Sequence, residues 1–253
     1  YPGRLYAGKI VTADIGIYEQ EAVKASACCL EQEDLKLFPE RDPGGNKGTF
    51  GKILFVAGSE GMCGAAYLSA SAALHAGAGM VKIQTVEENR IQLQILLPEA
   101  MVCTRFDEES NEQLLSWCDI LVIGPGLGTS GASREREQWF LTAAAREKKP
   151  LILDADGLNL LAMHPQWKEF LGENVILTPH IGEMSRLCVR TISEIQGTIA
   201  QTAVDYAKET GTVCVLKDAC TVITDGKGDL YLHLSGNSGM ATAGSGDVLS
   251  GLL

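Results

Sequence analysis

Hydrophobic positions along the chain fall into short, uninterrupted runs that are separated by longer stretches of mixed polarity. Seven of these runs are apolar on both strand faces, which is typical of strands in a mostly parallel sheet covered by helices on each side. We predict strands at 52–58, 79–86, 100–106, 119–126, 150–157, 174–180 and 212–218. The stretches between them predict helices near 62–77, 88–97, 133–148 and 193–209.

Two further hydrophobic runs, 221–226 and 229–235, flank a turn with the sequence DGKG. This pattern predicts an antiparallel hairpin at one edge of the sheet. The whole alternation predicts an α/β fold, a three-layer α/β/α sandwich with a mostly parallel central sheet and an antiparallel edge hairpin.

The first 45 residues do not follow this alternation. A single strand-like run at 6–17 stands alone, and the charged stretch after it contains the Pro and Gly residues that are typical of a linker. We therefore divide the chain into an isolated strand over 1–17, a linker over 18–45 and one α/β domain over 46–253. A length of 253 residues leaves little room for two domains of equal size.

The composition favours a folded protein and disfavours several classes of partner. Hydrophobic residues make up 45% and charged residues 21%, as in soluble globular proteins. A formal net charge of −11 disfavours binding to nucleic acid or to an anionic membrane, because both need a basic surface. No stretch resembles a signal peptide or a membrane span, so we expect a cytoplasmic protein.

Eight cysteines raise the alternatives of disulfides or a zinc site. They form no CxxC pair and no Cys/His cluster with the spacing of zinc ligands. Most lie within apolar runs, where cysteine behaves as a small core residue. We expect them to be reduced and structural, and we assign no metal ligand.

Ligands of open α/β sheets collect at the carboxyl ends of the strands, and four segments there carry candidate chemistry. Two are glycine-rich turns, 57–66 and 124–130, which either approach a ligand closely or simply connect a strand to a helix. Neither has the GxGxxG or the GxxxxGK[ST] pattern. In the third segment, 178–184, a proline fixes the chain so that His180 and Glu183 lie at the rim of the sheet. His180 either contacts a ligand there or makes a structural hydrogen bond.

The fourth segment is 215–222, in which Lys217 ends a buried strand. A buried cation needs an anion beside it, and that anion is either a ligand phosphate or the neighbouring Asp218. The segment therefore predicts a phosphate site or a structural ion pair.

The densest candidate chemistry lies in the sequence TAGSGDVLSG over 242–251. Small residues there can expose consecutive backbone N–H groups, and a helix that begins near Asp247 adds its positive end. The residues of this predicted anion hole are Ala243, Gly244, Ser245 and Gly246. Asp247 is placed to accept a proton from a substrate hydroxyl while the N–H groups hold the phosphate under attack. The alternative is a plain N-cap at the start of a helix.

Several motifs together resemble the ADP-dependent NAD(P)H-hydrate dehydratases. They are KGTFGKILFVAGSEGMCGAA, GPGLG, ILDADGLN, ILTPHIGE and GMATAGSGDVLSG, in the order and approximate spacing of that family. The resemblance covers residues 45–253 and implies a ribokinase-like fold. The run YAGKIVTADIGI at 6–17 resembles the closing strand of the NAD(P)H-hydrate epimerase domain that is often fused ahead of the dehydratase.

This family repairs hydrated NADH and NADPH. ADP phosphorylates the hydroxyl of the (S)-form of the hydrate, and loss of phosphate restores the cofactor, with AMP and phosphate as the other products. The resemblance implies that Asp247 activates the hydroxyl as the catalytic residue. It places the hydrate near Ala65, Gly126, His180 and Asp247.

The resemblance also implies a nucleotide site, with ADP preferred to ATP as the phosphate donor. Its residues are Lys217, Asp218, Ala219, Cys220, Thr221 and Gly246. Mg²⁺ is expected to accompany the nucleotide, with Glu183 acting through water, and assembly as a homo-oligomer is expected. Relatives usually have glycine where this chain has Asp218, and a carboxylate there repels the phosphates unless it points away or meets Mg²⁺.

Two other functions stay open at this point. A small-molecule kinase of the same fold, acting for instance on a vitamin-precursor alcohol, uses the same aspartate and releases a stable phosphorylated alcohol. An inactive nucleotide-binding module is the other, because the sequence stops soon after Asp247 and a shortened helix is marginal unless packing holds it. We expect the domain over 46–253 to be truncated at its C-terminus.

Overall fold

A computed structural model of the chain describes residues 8–9, 11, 13, 15–16 and 27–253. The isolated strand predicted at 6–17 falls mostly outside these described residues. The α/β domain predicted over 46–253 is described throughout.

One ten-stranded sheet runs through the described part of the chain. Its strands are β1 (Cys28–Cys29), β2 (Lys52–Val56), β3 (Met80–Gln84), β4 (Met101–Cys103), β5 (Ile120–Ile123), β6 (Leu151–Leu153), β7 (Val175–Leu177), β8 (Val213–Leu216), β9 (Thr221–Thr224) and β10 (Leu230–His233). The order across the sheet is β1-β10-β9-β8-β7-β6-β5-β2-β3-β4. Pairing is parallel from β8 to β4 and antiparallel between β9 and its neighbours β8 and β10, which confirms the predicted sheet and hairpin.

Nine α-helices lie within the described residues. They are α1 (Cys63–Ala76), α2 (Arg90–Leu96), α3 (Glu108–Trp117), α4 (Gly131–Glu147), α5 (Asp156–Met163), α6 (Ile181–Cys188), α7 (Ile192–Gly197), α8 (Ile199–Thr210) and α9 (Ser245–Leu252). Short 3-10 helices lie at Gln32–Leu37, Glu87–Asn89, Pro165–Phe170 and Ser238–Met240. The four predicted helical stretches are present, the last of them divided into α7 and α8. The pattern did not predict α3, which is largely polar, or α5 and α6, which are eight residues long.

Side chains on both faces of the sheet are buried, which explains the uninterrupted apolar runs. In β2, Leu54 and Val56 face one hydrophobic cluster and Phe55 faces the other, because successive strand residues point to opposite faces. Helices α1 and α2 contribute to the Phe55 side, and α4, α5, α6 and α8 contribute to the other. The result is the predicted three-layer sandwich.

The last helix, α9, is held by close packing against α1. A Cβ on Gly251 would lie 2.0 Å from the backbone oxygen of Ser69, so glycine is needed for the two helices to approach this closely. Ser250 and Gly251 are buried in this contact. An eight-residue helix is marginal in isolation, so tertiary packing supplies the stability that its length lacks.

Part of the predicted linker lies against the domain. Strand β1 pairs in parallel with β10, outside the hairpin. Arg41 lies 3.7 Å from the ring centre of Phe50 and donates a hydrogen bond to the Gly77 carbonyl at 2.8 Å. The division of the chain at residues 17 and 45 stays a prediction.

All eight cysteines lie in the described part of the chain, and none of them forms a disulfide. Cys28 and Cys29 are exposed, whereas Cys118, Cys214 and Cys220 are buried. Among the described residues, no helix has the length and apolar content that crossing a bilayer requires.

Candidate active site

The fold brings two of the predicted hydrate-binding residues side by side. Ala65 lies in the first turn of α1, and Gly126 lies in the turn after β5. A Cβ on Gly126 would lie 2.7 Å from the Cβ of Ala65. The glycine-rich turns after β2 and β5 therefore meet at the carboxyl edge of the sheet.

His180 and Lys217 are neighbours on adjacent strand ends. They form an isolated parallel bridge just beyond β7 and β8, in which the Lys217 backbone N–H donates to the Pro179 carbonyl at 2.8 Å. The Nζ of Lys217 lies 3.7 Å from the position that a Cβ on Gly246 would occupy. The lysine therefore reaches from the end of β8 to the first turn of α9.

Asp154, directly after β6, joins three of these elements. Its Oδ1 accepts hydrogen bonds from Lys217 Nζ at 2.9 Å and from the Thr178 hydroxyl at 2.6 Å, and its Oδ2 accepts one from the Ser250 hydroxyl in α9. Only 1% of Asp154 is exposed, and a buried carboxylate needs such partners. The ion pair of Lys217 is thus with Asp154, and the alternative pairing with the exposed Asp218 is wrong.

A second carboxylate, Asp156, holds the glycine-rich turn after β5. Its Oδ2 accepts the backbone N–H of Gly128 at 2.8 Å, and its Oδ1 accepts the side-chain N–H of Asn159 at 3.2 Å. Ala155, between the two aspartates, has a φ of 49° and a ψ of −117°, which is strained for a residue with a Cβ. Such strain is concentrated at functional sites.

Helix α9 begins two residues earlier than the sequence predicts. It starts at Ser245, so Asp247 lies within its first turn and is not the N-cap. The Ser245 N–H donates to the Thr242 carbonyl at 3.4 Å. The first-turn N–H groups of Gly246 and Asp247 have no acceptor within the helix. Within α9, the N–H groups available to an anion are therefore those of Gly246 and Asp247, and the anion hole over 243–246 stays a prediction.

The carboxyl group of Asp247 is half-buried beside other charges. Burial raises its pKa, the carboxylates of Asp154 and Asp156 raise it further, and Lys217 lowers it in part. No described residue donates a hydrogen bond to this carboxylate. A carboxylate with a raised pKa and no donor of its own is well suited to accept a proton.

His180 and Glu183 cap the start of α6 reciprocally. The Nδ1 of His180 accepts hydrogen bonds from the backbone N–H groups of Gly182 and Glu183 at 2.9 and 3.3 Å. In return, Glu183 Oε2 accepts a hydrogen bond from the backbone N–H of His180 at 2.8 Å. Burial, Lys217 and Arg186 lower the pKa of His180, so its ring is neutral at neutral pH and carries its hydrogen on Nε2. Burial raises the pKa of Glu183 to about 7. The structural role of His180 is confirmed. Its Nε2 lies 3.5 Å from Glu183 Oε1, and 54% of the side chain is exposed, so a ligand can compete with Glu183 for the Nε2 hydrogen.

Residues 53–253 match the model of the NAD(P)H-hydrate dehydratase family. This chain belongs to that family. A bifunctional NAD(P)H-hydrate repair enzyme from Moorella thermoacetica is 37% identical over 273 residues, which cover 100% of this chain and 49% of that protein. An ADP-dependent (S)-NAD(P)H-hydrate dehydratase from Neisseria meningitidis is 34% identical over 221 residues, 86% of this chain and 72% of that protein.

The solved structure of a member of the dehydratase family supports the same fold. The ADP/ATP-dependent NAD(P)H-hydrate dehydratase of Bacillus subtilis, crystallized with ATP and Mg²⁺, has a TM-score of 0.75 and 33% identity over 89% of this chain and 79% of its own. The ribokinase-like sandwich is therefore confirmed. The chain spans about half the length of the bifunctional curated relatives it matches.

The segment assigned to the nucleotide is the turn between β8 and β9. Asp218 and Ala219 are exposed in this turn, Cys220 is buried, and Thr221 begins β9. Ala243, the first residue of the predicted anion hole, is also exposed. Solvent screens an exposed carboxylate, which weakens the repulsion expected between Asp218 and a bound phosphate.

Sequence reasoning passed over four polar residues of the site: Asp154, Asp156, Thr178 and Ser250. The motif ILDADGLN carried a usable signal for the first two, because its aspartates directly follow a buried strand, at the edge where ligands collect. Hydroxyl residues are common in loops and helices, so Thr178 and Ser250 carried no comparable signal. Only the folded chain shows that both donate to one carboxylate.

A buried glutamate behind the site gives a test of stability against pH. Glu137 in α4 is fully buried, and neither carboxyl oxygen has a hydrogen-bond partner among the described residues. Burial and the charge of Asp156 raise its pKa well above the ordinary 4.5, so the folded protein keeps it neutral where the unfolded chain ionises it. The free energy of unfolding therefore falls as the pH rises above 4.5, because the unfolded chain then releases a proton that the folded protein keeps.

We expect Glu137→Gln to raise Tm relative to the wild type by an amount that grows between about pH 5 and about pH 8. The difference should reach several degrees, since roughly 2–4 °C corresponds to 1 kcal/mol in a chain of this size. Calorimetry at the two pH values measures it. Glu135→Gln, at an exposed position of the same helix, is the matched control and should show no pH-dependent difference. A Tm difference for Glu137→Gln that is equal at both pH values would contradict the assignment.

Proposed function

We propose that this chain is an ADP-dependent dehydratase of the (S)-form of NADH and NADPH hydrates. The observation that carries the proposal is Asp247, a carboxylate with a raised pKa and no hydrogen-bond donor, in the first turn of α9 beside Lys217. Membership of the chain in the NAD(P)H-hydrate dehydratase family supports the reaction type. A relative of similar extent is named as an ADP-dependent (S)-NAD(P)H-hydrate dehydratase.

The chemistry divides into a transfer and an elimination. The hydrate hydroxyl loses its proton to Asp247 and attacks the terminal phosphorus of ADP, and the bond from that phosphorus to AMP breaks. The phosphorylated hydrate then loses its C–O bond, whose electrons leave with phosphate, and a proton from the adjacent ring carbon is released as the double bond forms. The products are NAD(P)H, AMP and phosphate.

The residues of the site have separate roles in this proposal. The Lys217 ammonium and the first-turn N–H groups of Gly246 and Asp247 stabilise the phosphate that is transferred. Ala65 and Gly126 provide a small-residue wall for the reduced ring, and the Nε2–H of His180 donates a hydrogen bond to the hydrate. Asp218, Ala219, Cys220 and Thr221 complete the turn that accepts the nucleotide.

The acidic groups of this edge suit a magnesium ion that arrives with the nucleotide. Among the described residues, no three potential ligands cluster closely enough to hold a metal by themselves. Mg²⁺ at nucleotide sites usually takes one or two carboxylates, phosphate oxygens and several waters. Glu183 fits that pattern, acting through water. The ion would neutralise charge on the phosphates.

Restoration of NADH absorbance tests the proposal directly. Purified protein with hydrated NADH, Mg²⁺ and ADP should recover absorbance at ~340 nm, and AMP should form in an amount equal to the NADH restored. A kinase of the same fold would instead accumulate a stable phosphorylated product without that recovery. A binding module would show a thermal shift with ADP and no product. Absence of turnover with both ADP and ATP would refute the dehydratase.

We propose a cytoplasmic location, and the net charge of −11 disfavours nucleic-acid and anionic-membrane partners. Assembly as a homo-oligomer stays a prediction, which the mass of the protein in solution would test.

A further inference from the structure

Arg186 connects the candidate active site to a surface groove. Its Nε donates a hydrogen bond to Asn159 Oδ1 at 2.9 Å, and the Asn159 amide donates to Asp156, the carboxylate that holds the turn after β5. On its other side, one terminal nitrogen lies 4.0 Å from the position of a Cβ on Gly182, whose N–H bonds the His180 ring. The guanidinium is therefore oriented by the same network that builds the site.

The charge of Arg186 is not neutralised by an ion pair. Among the described residues, no carboxylate oxygen lies within 4.0 Å of the Arg186 guanidinium, which is the limit for an ion pair. Arg146, by contrast, pairs with Glu112 at 2.9 Å. The side chain is exposed, and its positive charge lowers the pKa of both His180 and Glu183. An exposed, oriented cation whose field reaches the hydrate-binding residues is available to an anionic ligand.

A groove large enough for part of a ligand begins at this guanidinium. Two adjoining cavities of about 340 and 430 Å³ lie along α5 and α6, and the first extends to α8. Both are lined by Ala162, Arg186, Val189 and Arg190. Leu161, Leu187 and the ring of Tyr206 contribute apolar surface to the first cavity, as is common in sites for small organic ligands. The charged side chains of Lys168, Asp205 and Glu209 also line it.

We propose that Arg186 binds the diphosphate of the NAD(P)H hydrate and that this groove receives the adenosine half. The inference rests on the proposed function and names a subsite of it. The hydrate carries a diphosphate between its two nucleosides, and a protein with a net charge of −11 needs a local cation to hold it. Lys217 serves the phosphates of ADP, which leaves Arg186 on the His180 side for the second ligand. A planar guanidinium suits two phosphate oxygens at once.

The test is a comparison of half-saturating concentrations in three variants. For Arg186→Ala, we expect KM for NADH hydrate to rise about tenfold or more, with kcat within about threefold and KM for ADP within about twofold of the wild type. Arg186→Lys keeps the positive charge but loses the two parallel N–H donors of the guanidinium. Its KM for the hydrate should therefore lie between the values for the wild type and for Arg186→Ala. Arg146→Ala, at the far end of α4 from the site, removes another exposed arginine and should leave all three constants unchanged.

The possible outcomes separate the subsite from the proposed function. Turnover by the wild type decides the function alone. With turnover present, an unchanged KM for the hydrate in Arg186→Ala overturns the subsite, and a rise in KM for ADP instead would assign the groove to the nucleotide. If the wild type has no turnover, the Kd of unmodified NADH, measured by its fluorescence on the same proteins, decides the subsite: equal values for wild type and Arg186→Ala refute it.

Discussion

Replacing Asp247 with asparagine is expected to lower kcat/KM for the hydrate by about a thousandfold, the size of effect that a general base supplies. The amide cannot accept the hydroxyl proton, whereas the first turn of α9 and its N–H groups remain in place. We therefore expect ADP to bind with little change in affinity. Initial rates of absorbance recovery measure the first effect, and calorimetric titration with ADP measures the second.

The matched control for this change is Asp229→Asn, which removes a carboxylate from the exposed hairpin and should leave kcat/KM unchanged. The raised pKa of Asp247 adds a second expectation. The base works only when ionised, so the wild-type kcat/KM should fall as the pH drops through this raised pKa. Retention of more than about a tenth of the activity by Asp247→Asn would exclude its role as the base.

Replacing Asp154 with asparagine is expected to have the second-largest effect. Lys217 loses its ion-pair partner and its fixed position beside Gly246, so we expect kcat/KM to fall about a hundredfold and KM for ADP to rise about tenfold. Stability should fall by about 2–3 kcal/mol, because one partner of a mostly buried pair is left alone. Denaturant unfolding measures the stability, and steady-state rates with varied ADP measure the rest.

The pH profile separates electrostatics from simple damage to the fold. Asp154 raises the pKa of Asp247, and removing it also frees Lys217, so both changes lower the pKa of the base. The acid limb of kcat/KM for Asp154→Asn should therefore move to lower pH. Ser250→Ala removes one hydrogen bond and leaves the carboxylate, so it should cost stability without moving that limb. An acid limb that stays in place for Asp154→Asn would contradict the proposed interaction.

Much of the fold was predictable because a strand buried on both faces has a clear pattern in the sequence. The run containing Leu54, Phe55 and Val56 is apolar at every position since alternate residues enter different hydrophobic clusters. Helix length does not explain which helices were predicted, since the seven-residue α2 was predicted and the eight-residue α5 and α6 were not. Helices α5 and α6 begin inside segments that were assigned to strand ends, 150–157 and 178–184, so no separate helical pattern stood out there.

The candidate site was predictable to a smaller extent. Lys217 and Asp247 were found because a cation at the end of a buried strand, and a carboxylate among small residues at a helix start, are unusual by themselves. The partner of Lys217 was not predictable: the adjacent Asp218 is exposed, and the carboxylate that pairs with the lysine is Asp154, from a different strand end. Local sequence separation says little about which strand ends become neighbours.

The sequence by itself determined the sheet and its covering helices, the acidic character of the protein and the family motifs at the strand ends. These follow from patterns within one segment, because burial on two faces and the needs of a turn restrict residue types locally. The tertiary structure alone decided which charges meet. Asp154 gathers Lys217, Thr178 and Ser250 from three other elements, and α9 is held by the close approach of Gly251 to Ser69. Such contacts join residues far apart in the chain, so their energy depends on packing that no local pattern contains.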